Sequence, residues 1–217
     1  ISLPQTYYVV NLQKEFHRLV FIYSIVPLWK KFEFTYELTF LSNATAGLLL
    51  VIGSITKWRK NPLPEVLYLS LTVLLSFVFI ICIAFISEFN FSGSLFFLHV
   101  INPLLLLAYF FFYVDLRSSN KKILFIVPLI LPVVYLIFAL IFGKLTGQHI
   151  YFFLDYPQKG VSYTVLFILC CSIFLVLFIQ LLIVANKKIQ EKIQRGKDSI
   201  TGNNSNYEII TKRRQGF

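Results

Sequence analysis

Residues 65–86 read EVLYLSLTVLLSFVFIICIAFI, a run whose only charged residue is Glu65 at its start. Apolar runs of about 18 or more residues match the hydrocarbon thickness of a bilayer. In hydrocarbon every backbone N–H and C=O must be paired within its own element, so this run predicts a transmembrane helix. A membrane β-barrel would need shorter segments of alternating polarity, and neither 73–85 nor 104–114 alternates.

Comparable apolar runs occur along most of the chain. They predict further helices at about 36–56, 94–114, 122–142 and 161–185, the third of these bent by Pro128 and Pro132. A shorter run at 16–28 is either a first span or an interfacial helix. We therefore expect an all-α, polytopic transmembrane helix bundle of about six helices in residues 1–185. Residues 186–217 are expected to form a basic cytoplasmic tail that begins as a helical extension and is largely disordered from Gly196.

The charge distribution predicts the orientation of this bundle. The 217 residues are 57% hydrophobic and only 14% charged, and the net charge is +10. Lys and Arg lie between the apolar runs and in the tail, which favours topology determinants and contact with anionic lipid over a nucleic-acid partner. If the tail is cytoplasmic, the Lys- and Arg-rich loops near 57–60 and 117–122 lie on the same side. Both termini are then cytoplasmic, which requires an even number of spans.

Several functional classes lack their usual sequence signals. Cys82, Cys170 and Cys171 all lie within apolar runs without metal-ligand spacing, so we interpret them as core residues. The chain has no G-x-S-x-G, H-E-x-x-H, P-loop or G-x-G-x-x-G motif. We therefore predict no metal and no cofactor.

The abundance of Phe, Ile, Lys and Asn is typical of an AT-rich genome, and a bacterial plasma membrane is the expected location.

His99 is the main polar group within the predicted spans, where such groups are costly. It lies about five residues into its helix, or ~7 Å deep at 1.5 Å per residue. Pro103 lacks an N–H, so the His99 carbonyl is predicted to lose its helical partner. Asn102 shares the face of His99. A histidine in such a place more often makes an interhelical hydrogen bond than takes part in catalysis, and both interpretations are open.

The predicted span at 36–56 has polar side chains near its start, at Thr39, Ser42 and Asn43. Isolated Thr and Ser in a membrane helix usually bond to a carbonyl one turn back, whereas an unpaired Asn amide is expensive. Thr39 lies about one turn from the outer end of its helix, at a depth similar to that of His99. We therefore expect the two to meet near the outer leaflet. A hydroxyl beside an imidazole is the minimal pair for nucleophilic acyl transfer.

The predicted outer loop contains the sequence YFFLDYP at residues 151–157. Most of its rings are explained as an aromatic belt at the membrane interface. Asp155 is different, because its carboxylate is in a position either to orient His99 or to close the site from outside.

Three motifs carry a resemblance to a known family: LTFLSN at 38–43, His99 with Pro103, and YFFLD at 151–155. Together they resemble the androgen-induced integral membrane proteins and their bacterial six-pass relatives. The eukaryotic members include hydrolases of fatty acid esters of hydroxy fatty acids, which use a threonine nucleophile and a histidine within the membrane. The resemblance implies Thr39 as the nucleophile and His99 as its partner.

The leading hypothesis is a membrane-embedded hydrolase of lipid acyl esters, with an oxyanion held by Asn43, Asn102 or a backbone N–H. Membrane lipids, including fatty acyl esters, are the expected partners. One alternative is a non-catalytic lipid-binding or transport protein, and another is a lipid acyltransferase that uses the same residues. The candidate catalytic residues are Thr39 and His99, and the candidate substrate-binding or supporting residues are Ser42, Asn43, Asn102, Tyr151 and Asp155.

Overall fold

The fold was obtained as a computed structural model that describes residues 38–58, 62–85 and 96–214, with side chains described as far as residue 196. These residues are mostly helical and contain no strand, which confirms the all-α prediction for this part of the chain. A 3-10 turn at Phe152–Leu154 precedes the short helix Tyr156–Lys159. The helices are α1 (Leu38–Trp58), α2 (Glu65–Phe85), α3 (Phe97–Tyr113), α4 (Lys121–Thr146), α5 (Tyr156–Lys159) and α6 (Val161–Arg214).

Four of these helices are long and apolar enough to cross a membrane: α1, α2, α4 and α6. The helix α3 is also apolar but shorter. Predicted membrane helices therefore correspond to observed ones throughout the described residues. The run at 16–28 lies outside the described residues, so the count of about six spans and the cytoplasmic placement of both termini stay predictions.

The ends of α4 follow from local sequence. Asn120 precedes its first turn, and the Asn120 side chain accepts a hydrogen bond from the Lys122 N–H at 2.9 Å. The helix continues through both of its prolines and ends at Gly147, which adopts φ +72° and donates its N–H to the Gly143 carbonyl. Glycine suits this position because a left-handed residue after a helix carries no Cβ penalty there. The observed helix ends four residues beyond the predicted boundary at 142.

The core is organised around α2, which packs against α1, α3, α4 and α6. In its membrane-length window 61% of residues are buried, against 22% in α4 and 17% in α6. The helix α2 is therefore central, and α4 and α6 direct many apolar side chains outward, as expected for helices that face lipid. Gly53 of α1 permits close approach to α2, because a Cβ at this position would collide with the Tyr68 phenol.

The helix α6 continues beyond the predicted boundary at residue 185 because its next polar residues bind α3. The Asn186 amide donates to the carbonyls of Phe110 at 3.1 Å and Val114 at 2.9 Å, and its oxygen accepts from the Leu116 N–H at 3.2 Å. Gln190, one turn later, donates to the Phe111 carbonyl at 2.8 Å. The bonds to Phe111 and Val114 satisfy carbonyls at the end of α3, where helical partners run out. The Phe110 carbonyl also accepts from the Val114 N–H at 3.3 Å.

The backbone of α6 is helical from Val161 to Arg214, so it includes the segment after residue 185. The domain division at residue 185 and the disorder of the tail from Gly196 stay predictions. A single glycine costs a helix about 1 kcal/mol relative to alanine, so Gly196 alone does not end it.

Candidate functional site

The first described turn of α1 holds three buried polar side chains, those of Thr39, Ser42 and Asn43. The Thr39 carbonyl accepts hydrogen bonds from Ser42 Oγ at 3.0 Å and from Asn43 Nδ2 at 2.8 Å. Ser42 therefore makes the local backbone bond that is common for hydroxyl side chains in membrane helices. Asn43 does more than this, because its amide also reaches another helix.

Asn43 connects α1 to the beginning of α3. Its Nδ2 donates a second hydrogen bond to the Leu98 carbonyl at 3.2 Å, and its Oδ1 accepts from Asn102 Nδ2 at 2.8 Å. We call this set of bonds, from Asn43 to Leu98 and Asn102, the asparagine bridge. Because Leu98 immediately precedes His99, the bridge fixes the Thr39 turn against the turn that carries His99.

The first turn of α3 is a π turn, Phe97–Ile101, in which the Asn102 N–H donates to the Phe97 carbonyl. In this wider register the carbonyl that would face position 103 is that of Leu98. Pro103 has no N–H to donate, and Asn43 supplies the bond instead. The prediction that the His99 carbonyl loses its partner assumed α-helical spacing, and the π turn shifts that role by one residue.

The structure brings the Thr39 and His99 turns together without joining their side chains directly. Both side chains are buried. Among the described residues, the hydrogen bonds between the two turns run through Asn43 and include none from the Thr39 hydroxyl to the His99 ring. The predicted neighbourhood is therefore present, while the catalytic pairing itself stays a prediction.

Thr39 lies on the wall of a cavity of about 180 Å³, which we call the main cavity. Its remaining wall comes from α2, α4, α6 and the 3-10 turn, and most of it is aliphatic or aromatic. Within the described part of the chain, His99 and Asn102 do not line this cavity. A lipid tail placed here would therefore contact Thr39 but not His99.

Three hydroxyl groups of the main cavity lie near the start of α1. The Leu38 N–H donates to the Tyr135 hydroxyl at 3.0 Å and to the Tyr151 hydroxyl at 3.2 Å, beside Thr39. Both tyrosines line the cavity. Tyr151 was a predicted substrate-binding residue and Tyr135 was missed. A tyrosine in an apolar membrane helix could have signalled it, because a buried phenol needs a hydrogen-bond partner.

Asp155 faces a histidine that the sequence analysis did not single out. Its Oδ1 lies 3.6 Å from His149 Nδ1 and also accepts from the Gln158 N–H at 3.2 Å. The His149 ring packs over Gly143, where a Cβ would come within 2.7 Å of the ring, and meets Tyr156 edge-on. The small residue at Gly143, six positions before His149, was the available signal. The predicted action of Asp155 on His99 stays a prediction.

Comparisons of the chain with models of protein families, with curated proteins and with solved structures find no match. The resemblance to the androgen-induced membrane proteins therefore stays a prediction from three short motifs. What the site can do must be argued from its own geometry.

Proposed function

We propose that this protein binds acyl lipids of the membrane in the main cavity, with the polar end of the lipid at Thr39, Tyr135 and Tyr151. One observation carries the proposal: in a mostly apolar cavity, Thr39, Tyr135 and Tyr151 bring three hydroxyl groups to the start of α1. The other hydroxyl in the wall, that of Ser172, bonds to the Ile168 carbonyl of its own helix. Ligand sites are typically concave and mostly apolar, with a few placed polar groups that fix orientation. A fatty acyl ester has the matching division between a long apolar part and one polar group.

The charges of the described residues support an orientation for this site. Arg117, Lys121 and Lys122 lie at the end of the bundle opposite the cavity, as do the basic residues of α6 that follow Asn186. Lys and Arg are enriched on the cytoplasmic side of membrane proteins. We therefore place the cavity toward the outer leaflet of a cell membrane, in the bacterial plasma membrane that the composition favours, with both termini cytoplasmic.

Ester hydrolysis is the second candidate function, and the asparagine bridge favours it. The bridge fixes the Thr39 turn against the His99 turn, so the hydroxyl and the imidazole belong to neighbouring turns of α1 and α3. A general base must come within about 2.6–3.2 Å of the proton it takes, and such bonds often form only once substrate is bound. Rotation of the two side chains toward each other is the step that this mechanism requires.

In the hydrolytic reaction, His99 takes the proton of the Thr39 hydroxyl while Oγ1 attacks the ester carbonyl carbon. The tetrahedral intermediate then expels the alcohol, which takes the proton from His99, and leaves an acyl group on Thr39. Water, deprotonated by His99, attacks this acyl group and releases the fatty acid and the free hydroxyl. A lipid alcohol in place of water would make the same residues an acyltransferase.

The oxyanion of this reaction has better candidates than those that the sequence predicted. The Asn43 amide already donates to Thr39 and Leu98, so both of its hydrogens are in use. The hydroxyls of Tyr135 and Tyr151, which accept from the Leu38 N–H, lie beside Thr39 on the cavity side. These are the groups that we assign to the developing negative charge.

Two adjacent valines of α4 provide a matched test of lipid binding. Val133 lines the main cavity and is 50% exposed, whereas Val134 does not line it and is 58% exposed. We expect V133W to weaken the binding of cis-parinaric acid to the purified protein at least tenfold, measured by its fluorescence. The V134W variant should bind within twofold of the unmodified protein. Equal binding by the two variants would contradict the assignment of the cavity.

Hydrolysis has a separate test with 4-methylumbelliferyl oleate, whose cleavage releases a fluorescent alcohol. Thr39→Val removes the hydroxyl at nearly constant shape, and His99→Ala removes the base. We expect each change to lower the rate at least a hundredfold, whereas Thr39→Ser keeps a primary hydroxyl and measurable activity. Activity that survives both Thr39→Val and His99→Ala would exclude the mechanism and leave lipid binding as the function.

A further inference from the structure

A second cavity of about 450 Å³, which we call the side cavity, lies between α2 and α6. It has no charged residue in its wall. Ile81, Phe167 and Cys171 line both cavities, so the two adjoin at these side chains. The proposed function uses only the main cavity and leaves the side cavity without a role.

Phe167 connects this junction to the polar end of the main cavity. Its ring stacks on Phe153 with centroids 4.5 Å apart and planes 19° apart, and Phe153 stacks in turn on Tyr151 at 5.1 Å and 6°. A row of three stacked rings thus leads from the hydroxyl end to the side cavity. The edges of these rings are apolar, so they can pack against a hydrocarbon chain.

The length of the side cavity fits a long chain. The two cavities lie side by side along α6, where the main cavity is lined from Phe167 to Leu175 and the side cavity from Tyr163 to Phe174. The side cavity thus extends about 17 Å at 1.5 Å per residue. Half of a bilayer's hydrocarbon core is about 15 Å thick, and one lipid tail fills that distance. The side cavity is therefore long enough to hold the distal part of the tail of a membrane lipid.

We propose that the side cavity is a binding subsite for the distal part of a long acyl chain, and that it makes the protein selective for long-chain lipids. The polar group lies at the hydroxyl end, and the tail passes Phe167 and Cys171 into the side cavity. This inference rests on the proposed lipid-binding function, and it adds the chain-length class of the ligand.

Two leucines of α6 form a matched pair for the test. Leu166 lines the side cavity and is 60% exposed, whereas Leu169 lines neither cavity and is 55% exposed. Tryptophan at either exposed position leaves the core untouched, so both variants should fold. The measurement is displacement of cis-parinaric acid by octanoate and by oleate, compared among the unmodified protein, L166W and L169W.

We expect L166W to weaken the binding of oleate at least tenfold and that of octanoate less than twofold, and L169W to change neither. If L166W and L169W show the same chain-length dependence, the subsite is refuted while lipid binding stands. If neither acid binds the unmodified protein, the proposed function itself fails together with the subsite.

Cysteine alkylation gives an independent measurement on the unmodified chain. Cys170 is exposed and lines the side cavity but not the main cavity. Oleate should slow its reaction with N-ethylmaleimide at least fivefold, measured by mass spectrometry of the Cys170 peptide, while octanoate should have no effect. Equal protection by both acids, or protection by neither, would overturn the assignment.

Discussion

Two buried asparagines bind opposite ends of α3, and the polar groups and cavities around them differ. Asn43 comes from α1 and satisfies the Leu98 carbonyl in the first turn of α3. Asn186 comes from α6 and satisfies the carbonyls of Phe110 and Val114 in the last turn. Each uses both amide hydrogens and its oxygen, so both are strong interhelical connections in an apolar surrounding.

The difference lies in the neighbours of each asparagine. All three polar atoms of the Asn186 amide bind backbone groups, and no cavity is described beside it. At the other end, Asn102 Oδ1 is buried with no hydrogen-bond partner among the described residues, and Thr39 borders the main cavity. Buried polar groups are normally satisfied, so incomplete satisfaction beside a cavity marks the end of the bundle where a ligand is expected.

The largest effect on stability is expected from Asn186→Leu. The change leaves the Val114 carbonyl and the Leu116 N–H without a side-chain partner, while the Phe110 carbonyl keeps the Val114 N–H. Each unsatisfied buried group costs about 1–3 kcal/mol, so the two groups together predict a loss of about 2–6 kcal/mol. This loss can be measured by heating the detergent-solubilised protein and determining the fraction that stays folded at each temperature by gel filtration.

Gln190→Leu is the control for that prediction, because it removes only the bond to the Phe111 carbonyl. Its loss should be about 1 kcal/mol. If both variants lost the same small amount, the capping of α3 by α6 would not be a major source of stability. Lipid binding should be unchanged in both variants, since neither residue lines a cavity.

Asn43→Leu should have a smaller effect on stability and a larger one on function. The Thr39 carbonyl keeps its bond from Ser42, so the main unsatisfied groups are the Leu98 carbonyl and the Asn102 amide. We expect a loss of about 1–3 kcal/mol. Because the bridge positions the Thr39 turn, cis-parinaric acid affinity should also fall at least fivefold, an effect that Asn186→Leu would not produce.

A double-mutant cycle sharpens this second prediction. Asn43 and Asn102 bond directly, so the loss in the double leucine variant should fall short of the sum of the single losses by about 0.5–3 kcal/mol. Pairing Asn43→Leu with Asn186→Leu should give additive losses, because the two residues bind opposite ends of α3. Additivity in both pairs would show that the bridge is not an energetic unit.

The sequence predicted the helices well because their signal is local. Apolar run length alone placed every long helix of the described residues, and spacing within one helix correctly grouped Thr39 with Asn43. The meeting of the α1 and α3 turns also followed, since topology and depth fix which helix ends are neighbours. These inferences required no knowledge of side-chain orientation.

The predictions were wrong or incomplete where tertiary partners decide the outcome. The π turn before Pro103 depends on an amide from another helix. The cavities, and the roles of Tyr135 and His149, arise from residues far apart in sequence. Periodicity within one segment does not contain this information.

The smallest effect is expected near the Asn186 end, at Asp115, which tests whether burial is what separates strong from weak polar contacts. Its carboxylate accepts from Arg117 at 2.6–3.0 Å, and this hydrogen bonding lowers the pKa of Asp115 below its ordinary value. The pair is exposed, so Asp115→Asn should cost less than about 1 kcal/mol.

A lowered pKa in the folded state means that the stabilisation is complete above the ordinary Asp pKa and is lost as pH falls through the lowered one. The difference in unfolding temperature between the unmodified protein and D115N should therefore be small at neutral pH and disappear in acid, and high salt should also reduce it. A loss as large as that of Asn186→Leu would contradict the distinction between buried and exposed contacts on which the comparison of the two ends depends.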